Sequence, residues 1–160
     1  MTTPPKPNVP INRNAVAWES YEQDGVVRSQ WKHLTKAAGG PPYKVGFAIE
    51  ILMPGQKSAA AHWHTLEEEH VYIIEGTLTV RVGDAHHIMI AGDYIRFPAG
   101  EPTEHVLFNH TTEPCKYIIV GEKNDHDVCY YPDSNKVMIG ATREMFLRSD
   151  TREYGYGEPD

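Results

Sequence analysis

From Tyr43 to Ile139 the chain is written in short apolar runs that turn residues interrupt. "YKVGFAIEILM" ends at Pro54-Gly55, "HVYIIEG" passes into "TLTVRV" and stops at Gly83-Asp84, and "HHIMIA" stops at Gly92-Asp93. "YIRFPAG", "HVLFN" and "KYIIVGE" continue the style. These runs are rich in Val, Ile, Tyr and Phe, residues that fit a pleated, half-buried surface. Side chains alternate faces along a strand, so in "EHVYIIEG" Glu69, Val71 and Ile73 share one face and His70, Tyr72 and Ile74 the other. About eight strands of ordinary length, with turns roughly every 8–12 residues, predict an all-β antiparallel barrel or sandwich. No long helical periodicity and no internal repeat competes with that reading.

The flanks read differently. Residues 1–14 hold four prolines and little that could pack, the composition of an extended arm. "WESYEQDGVVRSQWKHLTKAAGGPPY" is ambiguous, and Gly39-Gly40-Pro41-Pro42 ends whatever precedes it. Late in the chain "DVCYYPDSNKVMI" predicts a hairpin around Asp133-Ser134-Asn135, and the tail "RSDTREYGYGEPD", residues 148–160, is expected to be mobile.

Length and charge narrow the classes. With 160 residues the chain suits one domain with a real core. Its formal net charge of −7 argues against nucleic acid, because phosphate contacts need clustered Lys and Arg. The first residues contain no apolar signal-peptide core, and no apolar run is long enough for a membrane span. Cys115 and Cys129 form neither a CxxC nor a disulfide framework, so a reducing, cytoplasmic setting is expected. Both read as buried hydrophobes rather than nucleophiles.

The candidate chemistry lies in "AHWHTLEEEH", residues 61–70. His62 and His64 stand at i and i+2, so on a strand both imidazoles project together, roughly 6.6 Å apart, while Trp63 points away. By itself that spacing also suits a polar surface loop. The surroundings are more specific. "PGQKSAAAHWHTLEEEHVYIIEG" resembles the first motif of the cupin family, with Gly55, His62, His64, Glu69 and Gly76 at its positions. "GDYIRFPAGEPTEHVLFN" resembles the second, with Gly92, Pro98, Gly100, His105 and Asn109 in order. Two departures stand out: four residues separate Gly100 from His105 where the family motif has two, and the first motif is one residue longer between Gly55 and His62. The resemblance covers about residues 43–122 and looks closest to small single-domain cupins of the cupin-2 type.

That resemblance implies a cupin double-stranded β-helix, a jelly-roll barrel, over residues 43–140, with an N-terminal arm and extension (1–42) and a C-terminal tail (141–160). It implies a metal held by His62, His64, Glu69 and His105 at the barrel mouth. Three imidazoles and a carboxylate suit a divalent Fe, Mn, Ni, Cu or Zn and leave open positions, and ligand type does not choose among these metals. Strand alternation and the spacing to Gly76 both select Glu69 over Glu68, and Glu67 is expected to face solvent. His70 points outward. His86 and His87 are adjacent and face opposite ways, so they read as edge residues, and His33, His110 and His126 lack partners at ligand spacing. Tyr94, Arg96 and Asn109 are candidate substrate contacts, with a solvated charge the competing reading for Arg96.

The expected function is a metal-dependent enzyme acting on a small molecule, with dioxygenase chemistry placed first and isomerase or lyase chemistry close behind. The rival is a non-catalytic module binding a sugar or small acid. A homodimer is expected, with the extension and its Trp18 and Trp31 offering a strand to a second copy.

Overall fold

Three strands from the middle of the chain organise the largest sheet. β10 (Cys115–Glu122) pairs antiparallel with β3 (Val45–Leu52) on one side and β5 (Glu69–Glu75) on the other. The sheet extends through β8 (Tyr94–Phe97) beside β5, and through β2 (Val26–His33) and β1 (Glu19–Gln23) beyond β3. The computed structural model describes residues 8–23, 26–40 and 42–157. Pro4, Pro5, Pro7, Pro41 and the last three residues of the expected tail lie outside them. A five-residue helix, α1 (Leu34–Ala38), links β2 to β3.

The second wall is built from two smaller sheets. One is ordered β7 (Ala85–Ile90), β6 (Thr77–Val82), β9 (His105–Phe108). The other is ordered β13 (Glu144–Leu147), β12 (Lys136–Ile139), β11 (Val128–Tyr131), β4 (Trp63–His64). Isolated bridges from His62 to His105 and from Lys57 to Phe108 join them, so β9 lies beside the segment leading into β4. The result is a barrel of two facing antiparallel walls, the expected jelly roll. The hairpin at Asp133-Ser134-Asn135 is present, with a short 3-10 turn over Pro132–Ser134 and Asn135 in the left-handed region.

Strand alternation decides what faces inward. Val71 and Ile73 are buried while Tyr72 between them is exposed, and Leu78 and Val80 repeat the pattern in β6. With Leu52, Met89, Phe97, Leu107, Cys115 and Tyr117 they form one core. Between β5 and β6 the chain turns at Gly76 with φ +88°, where a Cβ would stand 2.9 Å from the Pro114 carbonyl oxygen. Only glycine fits there.

Two expected boundaries give way. The extension before Tyr43 is part of the barrel wall: β2 pairs with β3 from Ser29↔Leu52 to His33↔Ala48. The strand imagined as an offer to a second copy is thus already paired within its own chain. At the other end β13, inside the expected tail, pairs with β12 from Lys136↔Leu147 to Ile139↔Glu144. Both additions cover sheet edges that would otherwise present unpaired backbone groups. Among the described residues no helix is long and apolar enough to cross a membrane.

Candidate metal centre

Backbone pairing holds the histidines in place. The His62 and His105 main chains exchange hydrogen bonds, His105 N to His62 O at 2.8 Å and the reverse at 3.2 Å. His64 sits in β4 opposite Cys129 of β11, and the Gly100 N–H donates to its carbonyl at 2.9 Å. The longer Gly100–His105 loop is accommodated by that bond and by Gly83 N to Glu104 O at 2.8 Å. The spacing departure from the motif therefore leaves His105 in register.

Side-chain bonds then set the tautomers. His62 Nδ1 is 2.8 Å from the Ala60 carbonyl and His64 Nδ1 is 2.6 Å from Asp127 Oδ2. Both partners only accept, so each Nδ1 carries the proton and each Nε2 presents a lone pair. Those two Nε2 atoms lie 3.7 and 3.9 Å from Glu69 Oε2, and His105 Nε2 donates to the same oxygen at 2.9 Å. Three imidazoles thus converge on one carboxylate oxygen. Phe97 lies flat on the His105 ring, with centroids 3.7 Å apart, and fixes its plane.

Electrostatics follow from this packing. Burial alone would raise the Glu69 carboxyl, but His105, His62 and His64 around it outweigh that and hold it well below the usual carboxylate range. Burial lowers His105 and also opposes His62, where the Glu69 carboxylate prevails and raises the imidazole. Asp127, 4% exposed, accepts from His64, from Leu66 N–H at 2.8 Å and from Thr65 Oγ1 at 3.1 Å. Burial would raise it, and these donors together hold it low.

Of the four residues singled out from the sequence, His62, Glu69 and His105 form one tight group of ligand-type atoms and His64 adjoins it, its Nε2 3.9 Å from Glu69 Oε2; the neighbouring acids are sorted. Glu68 bonds Arg96 Nε at 2.8 Å and His70 Nε2 at 3.0 Å on the outer face. Glu67 departs from expectation: it turns inward, accepts from the Asn124 N–H at 2.6 Å and lies 3.7 Å from His64 Nδ1. The short loop before β5 bends it back under His64 instead of out to water. Together His64, Glu67 and Asp127 form a second cluster of ligand-type atoms, and Cys129 lies close to His62 and His64. Burial pushes the Cys115 thiol up to about 11 and Cys129 to about 12, in keeping with their reading as hydrophobes.

Of the three candidate substrate contacts, Tyr94 and Asn109 stand away from the histidines, while Arg96 lines a small cleft with His64 and His105. Tyr94 is 58% exposed and its hydroxyl bonds His70 Nδ1 at 2.7 Å. Arg96, also outward, is spent on Glu68, an exposed pair contributing at most about 1 kcal/mol. On β8 it is Ile95 and Phe97 that face the core, so Tyr94 and Arg96 must face away. Asn109 is fully buried and structural: its amide donates to the Leu52 and Glu113 carbonyls, and its oxygen accepts from Thr111 N and Oγ1.

What lies beside Glu69 instead is a cavity of about 530 Å³ that the sequence did not disclose. Its walls include Trp31 and His33 of the extension, Gly121, and Glu50, whose Oε2 accepts from the Tyr117 hydroxyl at 2.6 Å. Burial raises the Glu50 carboxyl, and the Tyr117 donation offsets only part of this. A raised acid gives stability that is complete below its unfolded pKa and lost as pH rises through the folded one. Metal-free wild type is therefore expected to lose stability relative to Glu50→Gln as pH rises above the usual carboxylate range. Thermal unfolding of both across that rise checks it; parallel curves would refute it.

Comparisons with known proteins agree with this architecture. Residues 48–121 match the Cupin domain family. A 76-residue stretch is 29% identical to quercetin 2,3-dioxygenase of Bacillus subtilis, covering 47% of this chain but only 23% of that enzyme. A cupin-superfamily sugar phosphate isomerase from Silicibacter pomeroyi has a similar structure, with TM-score 0.77 and 23% identity over 91% of this chain and 96% of that one. A proposed sugar phosphate isomerase from Acidithiobacillus ferrooxidans gives TM-score 0.73 and 27% identity over 79% and 80%. With both sequence motifs, the matched segment and the barrel in agreement, residues 48–121 form a cupin domain within this fold.

Proposed function

We propose that this cupin is a metal-dependent enzyme acting on a small molecule, with His62, His64, Glu69 and His105 as the residues that hold the ion. The observation that carries the reading is the convergence of three imidazole nitrogens on Glu69 Oε2 beside a cavity of about 530 Å³. The donor set fits a divalent transition metal: the His62 and His64 imidazoles oriented by Nδ1 bonds, His105 held by stacking on Phe97, and one carboxylate kept ionised. A bound ion supplies Lewis acidity toward a coordinated oxygen or, if iron, a site for dioxygen. The protein's own part is to fix the imidazole planes through Asp127, Ala60 and Phe97, and to shield one side of the site with the apolar core.

Two chemistries compete. Dioxygenase chemistry is favoured by the quercetin 2,3-dioxygenase relative, whose match spans under a quarter of that enzyme. Isomerase chemistry is favoured by the 27% identical neighbour, matched over four-fifths of both chains. The broader match puts isomerase first. The test is metal titration followed by two assays on the loaded chain, oxygen uptake with small-acid and flavonoid panels, and aldose–ketose interconversion with neutral sugars and with sugar phosphates. Interconversion without oxygen uptake supports the isomerase, and uptake alone reverses the order. Binding of metal with neither turnover supports the non-catalytic module. Failure to bind a divalent ion overturns the reading.

A further inference from the structure

The cavity beside Glu69 has a chemical character that specifies a ligand. Sheet register places Gly46, Gly121 and Glu69 in one inward row, and His33, Ala48 and Ile119 in the next. Trp31, Glu50 and Tyr117 occupy the row after that. The small residues leave the floor open. A Cβ on Gly46 would meet its neighbours at 3.6 Å, and one on Gly121 would stand 3.6 Å from the Glu69 carboxylate. Neither glycine has positive φ, so what each supplies is space, not a special backbone shape.

The far end carries polar groups that keep bonding capacity to spare among the described residues. Glu50 uses Oε2 for Tyr117, and among the described residues Oε1 has no hydrogen-bond partner. Ser29, 6% exposed on β2, lines the same cavity and its hydroxyl likewise has no partner among the described residues. Buried polar groups left unpaired are costly, which makes them the natural contacts for a ligand. Cations are scarce: His33 is engaged with Tyr43, and Lys123 lies 3.3 Å from Asp125.

We propose that this cavity binds a neutral polyhydroxylated molecule, a sugar or sugar alcohol, laid along Trp31 with its distal hydroxyl groups on Glu50 and Ser29. The C–H face of such a molecule suits an indole, and its hydroxyls both donate and accept. A carboxylate or phosphate pushed to that end would be desolvated, and among the described residues no unengaged cation lines it. A flat apolar ring would leave Glu50 and Ser29 unpaired, a penalty that discriminates strongly. The proposal rests on the metal-dependent reading only for where the ligand's other end lies.

The test is calorimetric titration of the full zinc-loaded chain with xylitol, D-fructose and, as a charged comparator, succinate. At least one neutral probe is expected to bind more tightly than succinate, and Glu50→Gln and Gly46→Val are each expected to weaken it about tenfold or more. Gly46→Val fills the floor without removing a hydrogen-bonding group, so it still decides the matter if Glu50→Gln fails to fold. No binding by either neutral probe, tighter binding of succinate, or variants that bind like wild type would overturn the proposal. Zinc uptake, measured in every sample, separates this from failure of the metal reading. A wild-type chain that takes up no zinc overturns that reading, and the same probes on the metal-free chain then decide the cavity.

Discussion

Glu69→Gln is expected to weaken divalent-metal binding by more than about a hundredfold, while Glu68→Gln changes it by less than about twofold. The two glutamates are adjacent, and only strand alternation separates them. Glu69 shares its face with Val71 and Ile73, both buried, and its Oε2 is the atom on which the three imidazoles converge. Glutamine keeps the shape but removes the only anion among the four proposed ligands. Glu68 lies on the outer face with Arg96 and His70, where its charge is solvated and screened. Titrating zinc or cobalt into both variants decides it. Equal losses, or the reverse order, would mean that the proposed ligand set is wrong.

The second large effect is expected at Asp127, a residue that motif spacing does not reach. Asp127→Asn should lower metal affinity roughly 10–100-fold, because an amide cannot satisfy all three of its donors. If the Asn oxygen stays with Leu66 and Thr65, its NH₂ faces His64 Nδ1 and drives the ring to the tautomer with the proton on Nε2. That proton then occupies the lone pair a metal needs. Asp127→Ala should in addition destabilise the metal-free chain by roughly 2–4 kcal/mol, since the Leu66 N–H, the Thr65 hydroxyl and His64 lose their acceptor together. Metal titration and denaturant unfolding measure the two effects separately. Wild-type metal affinity in Asp127→Asn would show that His64 does not depend on this brace.

Some of what was missed had a local trace. Ile95 and Phe97 flank Arg96 in a period-two pattern, and that alternation alone points Arg96 outward once the apolar face is taken as the core. Asn109, two positions before Thr111, is a turn-type residue that bonds its own loop, as it does here. Glu67 left no such trace, since it lies in a loop where alternation gives no facing.

The sequence by itself determined the features that depend on neighbours along the chain. Period-two alternation with turn pairs defined the strands of an all-β barrel, put Glu69 with Val71 and Ile73, and set His62 and His64 on a common side. Local spacing sufficed because the strand backbone itself enforces it. Tertiary structure alone decided which distant groups complete the site. Asp127 reaches His64 from 63 positions away, and nothing in 22 acidic residues marks the one that will pair. The strand β2, within a stretch whose pattern is ambiguous, becomes a cavity wall because its backbone satisfies the open edge of β3. Glu50 becomes a half-buried, hydrogen-bonded acid only because Tyr117 stands opposite it on β10. Sheet pairing between remote segments fixes all three, and a linear pattern carries no record of which strand will lie beside which.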